Sequence, residues 1–220
     1  MAESYVIGVD FGSDSVRALI VNTETGENVG QGVACYPRWK AGLYQHPEYS
    51  IFRQHPLDYL ESLEKCITTA LAELTEEQKD HVIGIGVDTT GSTPVPVDKN
   101  GTPLALLDEF AENENAMFFL WKDHAAAAEA DEINKLFRNN SENDYTKYQG
   151  DYSAEWYWAK ILYAVRHDEA IRQAAYTWEE HCDWMTGILC GETRPEKIYH
   201  SACAAGHKAL WHSEWNGLPA

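Results

Sequence analysis

The hydrophobic pattern at the start of the chain predicts two strands joined by a tight polar turn. An apolar run at residues 6–9 leads to Asp10, and a second apolar run at residues 18–21 follows Arg17 after a turn of Gly, Ser and Asp. Short apolar runs bounded by turn residues are typical of strands. A third run covers residues 29–36, so the chain is expected to open with a three-stranded antiparallel meander.

A long helix and a fourth strand are predicted next. Leucine and isoleucine recur at helical spacing through residues 56–74, and the charged residues between them predict a solvent-facing side. Residues 82–87 then form an apolar run that ends in Asp88, which predicts a buried strand followed by a hydroxyl-rich turn. Strands and helices in this order indicate an α/β layered domain.

The second half of the chain has mainly helical patterns. Helices are expected over residues 125–137, 153–165 and 169–175, a hairpin over 95–104 and a loop over 193–211, while the mixed period of 177–189 favours a helix. A further apolar run ends in Asp123, as earlier runs end in Asp10 and Asp88. Because ligands of α/β sheets collect outside the carboxyl ends of strands, these three carboxylates predict one concave site.

Composition and charge narrow the class of protein. The 220 residues carry a formal net charge of −18, which argues against nucleic acid as a partner because a phosphate backbone needs a basic face. No apolar run approaches the ~20 residues of a membrane span. No export leader is visible, so a cytoplasmic protein is expected. Five widely spaced cysteines without a C-x-x-C pair fit reduced thiols better than disulfides or a zinc site.

The turn between the first two strands carries residue types suited to a phosphate and its metal ion. Asp10 could hold a hydrated divalent cation, and Gly12 with the hydroxyls of Ser13 and Ser15 would let backbone N–H groups approach phosphate oxygens. Arg17 could add a forked positive charge for the same anion. An ordinary hairpin with a polar turn is the alternative, since a lone glycine turn is a weak signal.

Several segments resemble a known family. Residues 8–19 look like the first phosphate loop of the FGGY carbohydrate kinases, two-lobed enzymes of the actin-like ATPase, ribonuclease H-like fold. Other segments are similar to the ribulokinase branch of that family: residues 36–39, 84–94, 110–113, 116–124, 153–162 and 205–211. The resemblance runs in order through about residues 5–219, so an N-terminal lobe of a sugar kinase is expected.

The resemblance implies ATP-dependent phosphorylation of L-ribulose at its terminal hydroxyl in L-arabinose catabolism, with ATP and Mg²⁺ as cofactors. Phosphoryl transfer of this kind depends on positioning and charge neutralisation. The resemblance assigns Asp10 to the Mg²⁺–phosphate group, Gly12, Ser13 and Ser15 to the phosphate loop, and Arg17 to a phosphate contact.

The resemblance also implies a sugar pocket. It assigns contacts with the sugar to the Ser92–Thr93 turn and to Lys208. Three further residues are implied in the same pocket or directly behind it: Asp123, His124 and Glu155. For Lys208 the alternative is a solvated loop lysine, and for Asp88 it is a carboxylate that caps its own turn.

The length of the chain departs from the family. Kinases of this family are much longer, and the resemblance places the general base and the adenine pocket beyond residue 220. Residues 1–220 are therefore expected to be the sugar-binding domain. Because they would be a fragment without the C-terminal ATP-binding lobe, they are expected to be inactive alone. Two alternatives stay open: a non-catalytic sugar-binding or regulatory module, and a related kinase of xylulose, glycerol or another polyol. A homodimer is equally open.

Overall fold

A computed structural model describes residues 3–219, which divide into two compact units. Unit 1 contains the chain up to Leu43 together with His55–Thr90. Unit 2 contains Tyr44–Gln54 and the chain from Gly91 onward. Both helices and strands are present throughout, which agrees with the expected α/β class.

The regular elements are numbered along the chain. The strands are β1 (Tyr5–Phe11), β2 (Ser15–Asn22), β3 (Asn28–Cys35), β4 (Gln45–His46), β5 (Ile51–Gln54), β6 (Val82–Thr89), β7 (Pro94–Val97), β8 (Phe118–Phe119) and β9 (Thr177–Glu180). The α-helices are α1 (Pro37–Lys40), α2 (Pro56–Leu71), α3 (Glu76–Asp80), α4 (Ala127–Asn139), α5 (Tyr157–His167), α6 (Glu169–Ala174), α7 (His181–Cys190) and α8 (Ala202–His207). Single 3-10 turns cover Pro47–Tyr49, Leu104–Leu106, Asp108–Phe110, Glu114–Ala116 and Ser213–Trp215.

Unit 1 is built on a four-stranded sheet in the order β3-β2-β1-β6. The first three strands form the predicted antiparallel meander, and β6 runs parallel to β1. Side chains of β1 alternate between the two faces, so that Ile7, Val9 and Phe11 are buried while Gly8 and Asp10 lie on the other, solvent-exposed face. The carboxyl ends of β1 and β6 therefore lie side by side on an accessible face of the sheet.

Helix α2 covers the inner face of β2 and β3 at very short range. The predicted helix over 56–74 is confirmed, although it ends at Leu71. A methyl group on Gly32 would lie 2.1 Å from the carbonyl oxygen of Cys66 in α2, so a residue without a side chain is required there. The Cys66 thiol also contacts the Gly32 carbonyl oxygen, at 3.2 Å.

Substituting Gly32 by alanine is expected to destabilise unit 1. The added methyl group has to push α2 off the sheet, and we expect the free energy of unfolding to fall by at least the roughly 1–3 kcal/mol typical of overpacking. Urea unfolding followed by far-UV circular dichroism measures this change. Gly8→Ala is the matched control, because a methyl group at Gly8 meets no atom within 4 Å. Equal stability of the two variants would contradict this close packing.

Strand β6 differs from the prediction of a buried strand. Its residues are mostly exposed, and the Ile83 side chain is 69% accessible. The reason is its place in the sheet, because β6 is an edge strand and α2 packs on β2 and β3 at the opposite end. An apolar run predicts that a strand forms, but it does not predict where that strand lies in the sheet.

Unit 2 contains two hydrophobic clusters that share helix α5. One cluster consists of Leu104, Ala105, Ala116, Met117, Phe119, Ala164, Ile171 and Trp178. The other consists of Ala126, Ala130, Ile133, Tyr145, Tyr152, Ala159 and Leu210. Because α5 contributes Ala159 to one cluster and Ala164 to the other, its position fixes both.

Two small sheets complete unit 2. Strand β7 pairs with β9 in antiparallel fashion, and β5 lies between β4 and β8. The predicted hairpin over 95–104 is only partly formed, because β7 takes β9 as its partner and the Asn100–Gly101 turn leaves a single bridge between Val97 and Pro103. The helix favoured over 177–189 is wrong at its start, where β9 runs directly into α7. A strand joined to a helix without a loop explains the mixed period.

Two other boundaries differ from the predictions. The helix expected from Ser153 begins at Tyr157, and the loop expected over 193–211 contains α8. Helix α8 is capped by the Ser201 side chain, which accepts a hydrogen bond from the Ala204 N–H. Within residues 3–219, no helix is both long enough and apolar enough to cross a membrane.

Candidate functional site

The predicted phosphate loop is the turn between β1 and β2 in unit 1. The Gly12 N–H donates to the Ser15 carbonyl oxygen (2.9 Å), and the Tyr36 hydroxyl donates to the Gly12 carbonyl oxygen (3.2 Å). Ser15 is buried, and its hydroxyl donates to the Asp14 carboxylate (2.8 Å), whereas Ser13 is half-buried. These hydrogen bonds fix the conformation of the turn, and the Ser15 hydroxyl makes one of them.

Two carboxylates lie side by side where β1 and β6 end. Asp10 pairs in register with Asp88 across the parallel strands and with Arg17 across the antiparallel pair. The Arg17 Nη1 atom lies 3.7 Å from Asp10 Oδ2, and both side chains are more than half exposed. Asp88 Oδ1 accepts from the Thr89 N–H at 3.0 Å, so this carboxylate also caps its own turn. Adjacent accessible carboxylates are suitable ligands for a hydrated Mg²⁺ ion.

The Ser92–Thr93 turn in unit 2 is held by buried charges. Glu180 accepts a hydrogen bond from the Ser92 hydroxyl and another from the Thr93 N–H (2.8 Å). The Lys160 ammonium group donates to the carbonyl oxygens of Ser92 (2.7 Å) and Leu120 (2.9 Å). Ser92 and Thr93 themselves are buried. The Ser92 hydroxyl and the Thr93 N–H are therefore engaged inside unit 2, and the neighbouring exposed Gly91 presents the backbone of the turn to solvent.

Glu180 and Lys160 balance each other electrostatically. Burial raises the pKa of the Glu180 carboxyl, against the hydrogen bonds from Ser92 and Thr93 and the charge of Lys160. Burial lowers the pKa of the Lys160 ammonium group well below its usual value, and the charge of Glu180 opposes that shift. Sequence reasoning missed both residues. The available signal was a lysine within the otherwise apolar and aromatic run of residues 156–165.

Lys208, His124 and Glu155 are also in unit 2. The Lys208 ammonium group lies 5.2 Å from the centre of the Trp156 ring, and His124 Nε2 lies 3.0 Å from Glu155 Oε1. Both Glu155 and Lys208 are close enough to Lys160 for their charges to act on its pKa. The structure thus places these predicted sugar-pocket residues around the same helix that anchors the Ser92–Thr93 turn.

Asp123 is placed differently from its neighbour His124. Its carboxylate is fully buried, forms an ion pair with buried Arg53 and accepts from the Phe52 N–H (2.7 Å). It lies four residues after β8, a two-residue strand of a small sheet in unit 2, and not at the end of a strand of the unit 1 sheet. Of the three carboxylates expected at neighbouring strand ends, only Asp10 and Asp88 therefore lie there. Asp123 instead connects residues 50–54 to the segment after β8.

Most of this chain matches the model of one protein family. The N-terminal domain model of the FGGY family of carbohydrate kinases matches residues 5–203. The chain belongs to the FGGY family. This confirms the family inferred from the phosphate-loop turn and the later segments.

Curated relatives are similar over almost the whole chain. The ribulokinase of Vibrio parahaemolyticus serotype O3:K6 (strain RIMD 2210633) is 53% identical over 99% of this chain and 38% of its own length. The ribulokinase of Shouchella clausii (strain KSM-K16) is 35% identical over 98% of this chain and 38% of its own length. The chain thus spans under two-fifths of the length of these relatives.

Solved structures confirm the fold of the FGGY chain. The xylulose kinase from Bifidobacterium adolescentis superposes with a TM-score of 0.73 and 18% identity, covering 98% of this chain and 41% of that one. Plasmodium falciparum glycerol kinase with ADP superposes with a TM-score of 0.73 and 15% identity, covering 99% and 40%. The architecture is one lobe of the actin-like ATPase fold, as the resemblance implied.

Proposed function

We propose that this chain is the sugar-binding lobe of an ATP-dependent kinase that phosphorylates L-ribulose at its terminal hydroxyl, in cytoplasmic L-arabinose catabolism. The observation that carries the proposal is the 53% identity over 99% of the chain to a protein named ribulokinase. The whole enzyme would add a C-terminal ATP-binding lobe, since the chain spans only 38% of that relative.

Unit 1 would supply the phosphate end of the reaction. Asp10, with Asp88 beside it, would hold Mg²⁺, which neutralises charge on the phosphate groups of ATP when it is bound. Arg17 would add positive charge next to Asp10 and contact a phosphate oxygen. Ser13 would present its backbone N–H group to phosphate beside Gly12, whose own N–H is bound to the Ser15 carbonyl oxygen, while Ser15 keeps the turn closed through Asp14.

Unit 2 would supply the sugar end. Lys208 would donate hydrogen bonds to sugar hydroxyl groups beside the Trp156 ring, and His124 with Glu155 would line the same pocket. The Ser92–Thr93 turn would contribute through the exposed backbone of the neighbouring Gly91, because the Ser92 hydroxyl and the Thr93 N–H are bound to Glu180. Asp123 would act from behind the pocket through Arg53. The proton acceptor for the sugar hydroxyl is proposed to lie in the C-terminal lobe.

A substrate panel tests this function. In the whole protein, we expect ATP-dependent formation of ADP with L-ribulose at a higher kcat/KM than with D-xylulose or glycerol, and a product phosphorylated at the terminal carbon by NMR. Residues 1–220 alone are the control, and no turnover is expected because the proposed general base would lie in the C-terminal lobe. A preference for xylulose or glycerol would overturn the substrate assignment. Sugar binding without any phosphorylation would favour the regulatory module.

A further inference from the structure

Three metal-ligating side chains converge in unit 2, and none of them is among the residues assigned to sugar. Glu179 lies in β9, Asp183 in the first turn of α7, and His200 shortly before α8. One ligand atom from each lies within 4.8 Å of the other two. Among residues 3–219, this is the one group of three or more His, Cys, Asp or Glu side chains close enough to share a metal ion. The three side chains thus come from a strand, a helix and a loop.

The buried Glu179 carboxylate favours a cation at this cluster. Glu179 is 1% exposed, and its Oε2 atom is buried without a hydrogen-bond donor in the part of the chain that the structure describes. The His200 Nδ1 atom lies 3.6 Å from it. Buried carboxylates are paired, hydrogen-bonded or bound to a metal, because an unsatisfied charge is unfavourable in an apolar interior.

The distances fit ligands of one small cation. His200 Nδ1 lies 3.2 Å from Asp183 Oδ2 and 3.6 Å from Glu179 Oε2. Zinc ligands lie about 2.0–2.2 Å from the ion, so two of them at a tetrahedral angle are about 3.4 Å apart. Both measured separations lie close to this value, and the ligand atoms of Glu179 and Asp183 lie within 4.8 Å of each other.

The neighbouring contacts orient the ligands. Asp183 Oδ1 accepts from the Ser201 N–H at 2.7 Å, which turns the other carboxylate oxygen toward His200. Contacts of this kind fix the orientation of metal ligands in known sites. The three residues also line a cavity of about 590 Å³ whose wall includes Tyr157, Trp158, Trp178 and Trp211. Water in this cavity can reach the remaining coordination positions.

We propose that Glu179, Asp183 and His200 form a divalent-cation site that binds Zn²⁺. An imidazole with two carboxylates suits Zn²⁺ or Mn²⁺ better than Mg²⁺ or Ca²⁺, which prefer oxygen ligands alone. The site is separate from the Mg²⁺ role proposed for Asp10, and it does not depend on the proposed kinase function. Its effect is to tie β9, α7 and the segment before α8 together.

Zinc titration of the 220-residue chain tests the site. After treatment with EDTA and dialysis, ZnCl₂ is titrated by isothermal calorimetry, and bound metal is counted by atomic absorption. We expect one equivalent of zinc per chain and a rise in Tm upon binding. Glu179→Gln and His200→Gln should each weaken binding by more than the roughly 10–100-fold that losing an outer contact costs. MnCl₂ is titrated in parallel, and tighter binding of Mn²⁺ than of Zn²⁺ would overturn the choice of zinc.

His46→Gln is the matched control, because His46 contacts a single carboxylate, that of Glu114, at 2.8 Å. Zinc affinity should be unchanged in this variant. Far-UV circular dichroism without metal identifies any variant that fails to fold, and the other ligand variant then decides. Failure to bind zinc would overturn the proposal and leave an ion pair of His200 with the two carboxylates. Binding that survives both ligand substitutions would also overturn it, and would indicate the exposed thiols of Cys35, Cys190 and Cys203 instead.

Discussion

Replacing Lys160 by methionine is expected to lower the free energy of unfolding by roughly 3–5 kcal/mol, the loss typical when one member of a buried charge pair is removed. Methionine fills much of the same space, so the change mainly removes charge and hydrogen bonds. It leaves the buried Glu180 carboxylate without its cation, and it deprives the Ser92 and Leu120 carbonyl oxygens of a donor. Urea unfolding followed by circular dichroism measures the loss.

Two comparisons separate this effect from a general cost of losing a lysine. Lys135→Met changes an exposed lysine of α4 and should alter the free energy of unfolding by no more than about 0.5 kcal/mol. Adding Glu180→Gln to Lys160→Met should recover part of the lost stability, because no buried charge is then left alone. If Lys160→Met is as stable as the unaltered chain, the pair does not hold the Ser92–Thr93 turn.

The sequence predicted best those strands and helices whose hydrophobic pattern lies within the element itself. Apolar runs along β1 and β2 and helical spacing along α2 predicted the first half of unit 1 within a few residues. These patterns arise from one strand or one helix facing a core, so they can be read without knowing the partner. The exposure of β6 depends instead on where α2 packs, and no pattern within β6 contains that information.

In the candidate site, too, the sequence did not predict contacts between residues that are far apart along the chain. Lys160 and Glu180 contact Ser92 from 68 and 88 residues away along the chain. A lysine or glutamate in isolation is usually solvated, so only the three-dimensional structure identifies these two as buried supports. Asp123 is the opposite case, because its sequence context suggested a site residue and its partner Arg53 makes it a buried structural one. Charge type was predictable, but the partner of each charge was not.

Substituting Asp10 by asparagine is expected to lower kcat for sugar phosphorylation in the whole protein by at least about 10²-fold, a loss comparable with removing one group that stabilises charge in a transition state. This expectation rests on the proposed function. Asparagine keeps the size of the side chain but removes the charge that would hold Mg²⁺ beside the phosphates. The fold should be unaffected, because Asp10 is exposed and its 3.7 Å pair with Arg17 contributes little stability.

The Mg²⁺ dependence of the rate distinguishes a metal ligand from a residue that merely shapes the turn. Asp10→Asn should raise the Mg²⁺ concentration needed for half-maximal rate, whereas Asp14→Asn, in the same turn, should not, because Asp14 binds the Ser15 hydroxyl. Asp88→Asn should have a smaller effect than Asp10→Asn, since one Asp88 oxygen already accepts from the Thr89 N–H. An unchanged kcat and Mg²⁺ dependence in Asp10→Asn would show that the end of β1 is an ordinary polar turn.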